Sequence, residues 1–268
     1  MGTIDFDSKA ARYEQDGLVQ KAASEILLGL LSIQPGECVL DAGCGSGGVT
    51  ARIAAMTGCS VLGIDASEGM IRTARTSFQA SNLDFEVVPA EAALFNSEWD
   101  VVFCNSAFQW FSPVEDAVRS LFQALRPGGR LGVQAPATNR YCPQFLTALD
   151  EVKARPETRK TFSRFHSPFF FLDSAEAYQA LFERAGFAVQ HCELRTEHTR
   201  FTLDEAYRVF QSGAENGYLN QAFYDAPVTD AYISAFRETI QAAFAEQADS
   251  EGRVTLAFTR LYFVGRRP

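Results

Sequence analysis

The alternation of apolar and polar positions divides the chain into helices and strands in a regular order. Residues 6–31 read as helix, because Phe6, Ala10, Tyr13 and Gly17 recur at roughly helical spacing and residues 18–31 repeat apolar positions with a period of 3.6. Pro35-Gly36 breaks that pattern. Val39 and Leu40 then form a short apolar run ending in Asp41 and the glycines Gly43, Gly45, Gly47 and Gly48, after which residues 49–55 resume a helical pattern. The sequence predicts a buried strand, a glycine turn and a helix start.

The same rhythm continues. Residues 60–64 are a β-branched strand ending in Asp65, residues 67–77 a helix, and residues 84–88 and 100–105 two more strands. A helix over 113–125 leads through Arg126-Pro127-Gly128-Gly129 into a fifth strand at 130–134. Alternating strands and helices imply a parallel sheet whose ligands sit beyond the carboxyl ends of the strands. Asp41, Asp65, Ala90 and Asn105 all fall on that edge.

From 135 to 172 the rhythm breaks, and Asn139, Arg140, Tyr141, Arg164, Phe165, His166 and Phe169 to Phe171 mix cations with aromatics. An insertion or cap over the pocket is the natural reading. A helix over 173–185 follows, with Asp173 and Glu176 as its N-terminal capping pair and Gly186 as its stop. Residues 187–194 read as strand, 203–211 and 229–245 as helices, and 254–264 as a closing strand.

Length and composition change this picture little. A chain of 268 residues with 47% hydrophobic and 21% charged residues suits one large α/β domain, or one domain with an insertion. A net charge of −9 without a run of lysines or arginines disfavours nucleic acid as a partner. The N-terminus carries acids early and lacks a signal-peptide run, no segment is long enough to span a bilayer, and Phe6 stands where the myristoylation pattern wants Ser or Thr. A cytoplasmic protein without membrane association is expected. Six cysteines are scattered without a CxxC and three histidines lack ligand spacing, so we expect buried reduced thiols and no metal site.

The candidate chemistry sits in the glycine turn. Such a turn lets a ligand approach bare backbone, with the N–H groups of the helix N-terminus expected to point outward as donors. Asp65, 22 residues after Gly43, is placed to accept both hydroxyl hydrogens of a ribose, or else to cap the helix that follows. Gly43, Gly45 and Gly48 also fit the dinucleotide pattern G-x-G-x-x-G, which admits a nicotinamide or flavin enzyme. Asp41 decides against it: a pyrophosphate beside this carboxylate is repelled by on the order of several kcal/mol in a poorly solvated pocket. S-adenosylmethionine has no phosphate and carries an ammonium and a sulfonium.

LDAGCGSG (residues 40–47), Asp65, the strand opened by Asp100 and RPGG (residues 126–129) together resemble the motif set of class I S-adenosylmethionine-dependent methyltransferases, over about residues 5 to 135. The resemblance implies a Rossmann-like, doubly wound, mostly parallel sheet with an antiparallel C-terminal strand and a helical cap. Residues 1–135 are then the N-terminal helix and cofactor-binding half, and 136–268 the cap insertion and C-terminal completion of the same α/β domain. By the same likeness Gly43, Cys44 and Gly45 approach the methionine part of the cofactor, Asp41 supports the turn and the ammonium, Asp65 holds the ribose, Ala66 and Asn105 line the site, and Met70 packs on adenine or serves the core. The family commonly has an Asp where this chain has Ala90, leaving Glu91 or the backbone to read the base.

FDSKAARYEQ (residues 6–15), NSAFQWF (105–111) and GRVTLAFTRLYFVGRR (252–267) are similar to the trans-aconitate and the malonyl-acyl-carrier-protein methyltransferases, which methylate a carboxylate oxygen. The implied acceptor is a carboxylate on a small molecule or a carrier-bound acyl group. Gln109 and Trp110 are expected on the sulfonium side, where an aromatic wall suits positive charge. Tyr13 is either a packing residue or the tip of a lid helix. Arg140, Tyr141, Arg164, His166 and Arg200 are candidate anion holders. His166 is alternatively a base toward a hydroxyl or amine acceptor. Methylation of a phenol, amine or other small metabolite, and a cofactor-binding regulatory protein without catalysis, are the other readings. Monomer and dimer are not distinguished.

Overall fold

The computed structural model describes residues 18–268, so residues 6–17 of the expected first helix, Tyr13 included, lie outside the described residues. In chain order the elements are α1 (Leu18–Leu31), β1 (Val39–Ala42), α2 (Gly48–Thr57), β2 (Val61–Asp65), α3 (Glu68–Ser77), β3 (Leu83–Val87), β4 (Trp99–Asn105), α4 (Val114–Ala124), β5 (Leu125–Pro136), α5 (Pro143–Ala154), α6 (Pro156–Phe162), α7 (Ala175–Arg184), β6 (Ala188–Thr202), α8 (Leu203–Ser212), α9 (Glu215–Tyr218), α10 (Asp230–Glu246) and β7 (Arg253–Arg266). The strands form one sheet in the order β3-β2-β1-β4-β5-β7-β6. β1 to β5 pair in parallel, and β7 returns antiparallel to β5. The expected doubly wound sheet with an antiparallel C-terminal strand is borne out.

The described chain falls into two compact units. One, the sheet unit, holds residues up to Asn139, Phe170–Arg195 and Arg260–Pro268; the other, the helical unit, holds Arg140–Phe169 and Thr196–Thr259. In the sheet unit strand parity assigns the two faces. Leu40, Ala42, Leu62, Ile64, Val102 and Cys104 pack with α4 and with Tyr178, Leu181 and Phe182 of α7. Their neighbours Val39, Val61, Val101 and Phe103 pack with Leu27, Leu28 and Leu31 of α1 and Ile53 of α2. A side-chain period of two puts Asp41 on the second face with Val39, toward α2.

The resemblance-bearing residues Asp100 and Arg126 serve the opposite end of the strands from the glycine turn. Arg126 Nη1 lies 2.8 Å from both Asp100 carboxylate oxygens, and the Cys38 N–H donates to Asp100 Oδ2 at 2.9 Å. They clasp the entries of β1, β4 and β5. Cys38 and Cys59 also lie at that end and are joined as a disulfide, with Cα atoms 5.1 Å apart. This corrects the expectation of six separate thiols: parallel pairing of Val39 with Val61 brings the two preceding segments side by side. Among the described residues Cys44, Cys104, Cys142 and Cys192 take no part in a disulfide.

The helical unit replaces the irregular stretch expected after residue 135. Proline stands at the first turn of both α5 and α6, where its missing N–H costs nothing. The core is aromatic: Phe145 meets Phe210 edge-on at 5.0 Å and Phe258 at 5.5 Å, and Phe162, Tyr218 and Phe236 continue the cluster. In the sheet unit the cap of α7 is Ser174, whose hydroxyl accepts from the Ala177 N–H at 3.2 Å. The expected Asp173–Glu176 pair is displaced by one residue.

Candidate functional site

The end of β1 and the turn beyond it form a site rich in acceptors. Asp41 is buried, and its Oδ2 accepts the Thr50 hydroxyl hydrogen from α2 at 2.6 Å. Burial, opposed by that bond and reinforced by the charge of Asp65, pushes Asp41 up to about 7. Asp65 lies at the end of β2, half-buried, and burial raises its pKa as well. Among the described residues no cation pairs with either carboxylate. The same surroundings push the Cys44 thiol well up, burial first, then Asp41 and Asp65.

Two glycines of the turn are sterically required. Gly43 has φ +80°, and a Cβ there would lie 2.2 Å from the Ala107 Cβ. Gly47 has φ +88°, and a Cβ there would lie 2.7 Å from the Phe85 ring. Both the left-handed backbone and the close approach exclude larger residues.

Four N–H groups of the turn, those that precede α2, are directed inward. Those of Gly43 and Cys44 donate to Ile64 O at 2.8 and 3.0 Å, that of Gly45 to Asp65 Oδ2 at 3.0 Å, and that of Gly47 to Cys44 O at 3.1 Å. Asp65 also accepts from the Ser67 N–H at 2.9 Å through Oδ1, while Ser67 itself caps α3 by accepting from the Met70 N–H. The alternative in which Asp65 caps that helix is thereby corrected. Asp65 latches the glycine turn, and each of its oxygens retains lone-pair capacity. The turn has spent these four donors internally, and its carboxylates keep acceptor capacity.

Around it, Ala66 is exposed and Met70 is buried in the first turn of α3. Ala90 is buried at the start of a short 3₁₀ turn, Ala90–Ala92, and Glu91 is half-buried. Past β4, Asn105 and Trp110 are half-buried. Gln109 is buried, its Nε2 donates to Ser106 O at 3.0 Å, and its Oε1 lacks a partner among the described residues. Two buried polar residues of this edge, Gln134 and Arg260, were not anticipated. Their signal is a polar residue inside an apolar strand, clearest for Arg260 in the run 254–264.

The remaining candidates belong to the helical unit. Arg140, Arg164 and His166 are exposed, and His166 Nε2 pairs with Asp225 Oδ2. The Arg164 carbonyl accepts from the Asp225 N–H at 3.2 Å, so these two candidates share one local cluster. Arg200 is engaged elsewhere, by Asp249 and Glu251. Tyr141 is buried beside Phe145, and burial raises its phenol well above the ordinary value. Among the described residues no helix is long and apolar enough to cross a membrane, and no group of three or more His, Cys, Asp or Glu is placed to hold a metal ion.

Residues 39–129 match the methyltransferase domain family. The trans-aconitate 2-methyltransferase of Deinococcus radiodurans is 30% identical over 271 residues, covering 96% of this chain and 97% of that protein. The chain belongs to the S-adenosylmethionine-dependent methyltransferase family. A second relative of this methyltransferase, the malonyl-[acyl-carrier protein] O-methyltransferase of Enterobacter lignolyticus, is 33% identical over 162 residues, 59% of this chain and 62% of that one, less than two thirds of its length. The fold matches the phosphoethanolamine N-methyltransferase 2 of Haemonchus contortus, solved with phosphomonomethylethanolamine and S-adenosylhomocysteine, at a TM-score of 0.60 and 18% identity, over 99% of this chain and 59% of that one.

Proposed function

We propose that this methyltransferase transfers a methyl group to a carboxylate oxygen on a small molecule or a carrier-bound acyl group. The observation that carries the donor side is the turn itself: four of its N–H groups are engaged, and two carboxylates without a cation partner among the described residues remain. Such a site favours a cationic ligand over a phosphate. S-adenosylmethionine fits, and when bound it supplies an electrophilic methyl on a positively charged sulfur. Asp41 is assigned to the turn and the ammonium, Gly43, Cys44 and Gly45 to the approach of the methionine part, and Asp65 to the ribose hydroxyls. Met70, Ala66, Ala90, Glu91 and Asn105 are assigned to the nucleoside side, with backbone replacing the Asp that the family commonly has at Ala90.

On the acceptor side the work is positional. A carboxylate is ionised at neutral pH and needs no base, so the residues must orient it and exclude water. Gln109 retains its second amide hydrogen for that task, and Trp110 offers an aromatic face compatible with the sulfonium. Arg140, Tyr141 and Arg164 remain candidates for holding the rest of the acceptor; Arg200, already paired twice, is a weaker one. Names of relatives support this reading: one is a trans-aconitate 2-methyltransferase and another a malonyl-[acyl-carrier protein] O-methyltransferase. The His166–Asp225 pair favours a second reading, in which His166 takes a proton from a hydroxyl or amine acceptor.

A radiolabelled-methyl transfer screen over dicarboxylic acids, acylated carriers, phenols and amines separates the two. Base-labile label on a carboxylic acid is expected. Base-stable label, lost in His166→Ala, would establish the second reading instead.

A further inference from the structure

Gln134 near the end of β5 is fully buried, and Arg260 of β7 is 3% exposed. The antiparallel register sets Gln134 opposite Tyr262 and Pro136 opposite Arg260, so the two side chains meet near the carboxyl edge of β4. A guanidinium only donates, which fixes the orientation of the Gln134 amide. Its Oε1 accepts from Arg260 Nη1 at 2.9 Å, and its Nε2 donates to Asn105 Oδ1 and to Ser106 Oγ, each at 2.9 Å. The Gln134 carbonyl also accepts the Ser106 N–H at 2.7 Å.

Ser106 is thus gripped through backbone and side chain, and it needs the grip. Its φ is +58°, a left-handed conformation that costs a residue with a Cβ about 1–2 kcal/mol. That conformation aims the Ser106 carbonyl at Gln109 Nε2 and delivers Ala107 against Gly43. We propose that Gln134 and Arg260 are positioning residues: through Ser106 they set the turn that places Gln109 for the acceptor and Ala107 against the cofactor turn, touching neither ligand themselves. The acceptor part rests on the reading of Gln109 given above; the placement of the turn does not.

The test uses Gln134→Met, which keeps the volume and removes every side-chain bond, and Gln134→Glu, which keeps the Arg260 contact and removes the donors to Asn105 and Ser106. Both are made in a Trp99→Phe background, where Trp110 is the sole tryptophan and reports on the turn. Both variants are expected to shift Trp110 emission and to lower kcat about 10- to 100-fold, with the affinity for S-adenosylhomocysteine within about threefold of the parent. Gln134→Glu guards against a variant that fails to fold. Adding Ser106→Gly, which adopts the left-handed backbone freely, is expected to restore much of the loss. A fall in thermal stability with kcat and Trp110 emission unchanged overturns the proposal. A shifted emission in a protein whose parent methylates no carboxylate leaves the positioning intact and removes the carboxylate reading.

Discussion

Asp41→Asn should make the unliganded protein more stable at pH 8 and a poorer ligand binder at once. Asp41 sits in the native state with a pKa raised from 3.8 to about 7. The folded protein therefore holds this proton more tightly than the unfolded chain does. As pH rises from about 4 to about 7 the unfolded chain gives up the proton first, and native stability falls by up to about 4 kcal/mol, with no further loss above. Asparagine keeps an oxygen for the Thr50 hydroxyl and never ionises. At pH 5 native Asp41 is protonated while its unfolded counterpart is already mostly ionised, so the variant should lead the parent by only about 1–2 kcal/mol. At pH 8 the lead should reach about 4 kcal/mol, on the order of 8–16 °C at about 2–4 °C per kcal/mol for a chain of this size. The complementary measurement is calorimetric titration with S-adenosylhomocysteine, whose ammonium loses a charged partner: binding should weaken by about 1.5–3 kcal/mol. Parent binding should tighten from pH 6 to pH 8 and release a proton, read from buffers of different ionisation enthalpy. A stability difference that is the same at both pH values would refute the reasoning, as would a variant destabilised at pH 8.

Three further outcomes follow from the same site. Thr50→Val removes the bond that lowers the Asp41 pKa, so the pH at which S-adenosylhomocysteine binding tightens should move upward; an unmoved profile would show that Asp41 does not govern it. Asp65→Ala should weaken S-adenosylhomocysteine binding by about 1–3 kcal/mol and loosen the turn, seen as faster hydrogen exchange at the Gly45 amide; unchanged affinity would retire the ribose assignment. Gly43→Ala should abolish measurable binding, because its Cβ meets the Ala107 Cβ at 2.2 Å on a left-handed backbone, and tight binding by that variant would contradict the described turn.

The strands and the glycine turn were legible because their physics is local. A short apolar run cut off by Asp41 and glycines can hardly be other than a strand end opening onto a helix. The parity of β1 goes further, since knowing that Val39 faces inward on one side already turns Asp41 toward α2. Other features depend on what the chain meets in space. Phe145, Ala148, Leu149 and Val152 carry helical spacing, yet the cations and prolines around them obscured α5 and α6. β6 continues to Thr202 as an exposed, polar strand, beyond the reach of an apolar criterion. No sequence spacing announces the Cys38–Cys59 bridge, which follows from the parallel pairing of β1 with β2. The inward direction of the Gly43, Cys44 and Gly45 N–H groups depends on acceptors, Ile64 O and Asp65, that arrive from another strand.

The internal use of those N–H groups bears on how the protein copes with a crowded pool of adenine nucleotides. An adenosine moiety is common to triphosphates, dinucleotides and S-adenosylmethionine, so contacts to it offer little discrimination. Discrimination falls instead on what hangs from the ribose. With four of its N–H groups turned to acceptors of the protein itself, the loop offers a phosphate fewer donors, while the carboxylates of Asp41 and Asp65 repel one. On the proposed cofactor assignment this selection rests on groups already in place in the unliganded protein, so discrimination against nucleotides would need no side chain to move.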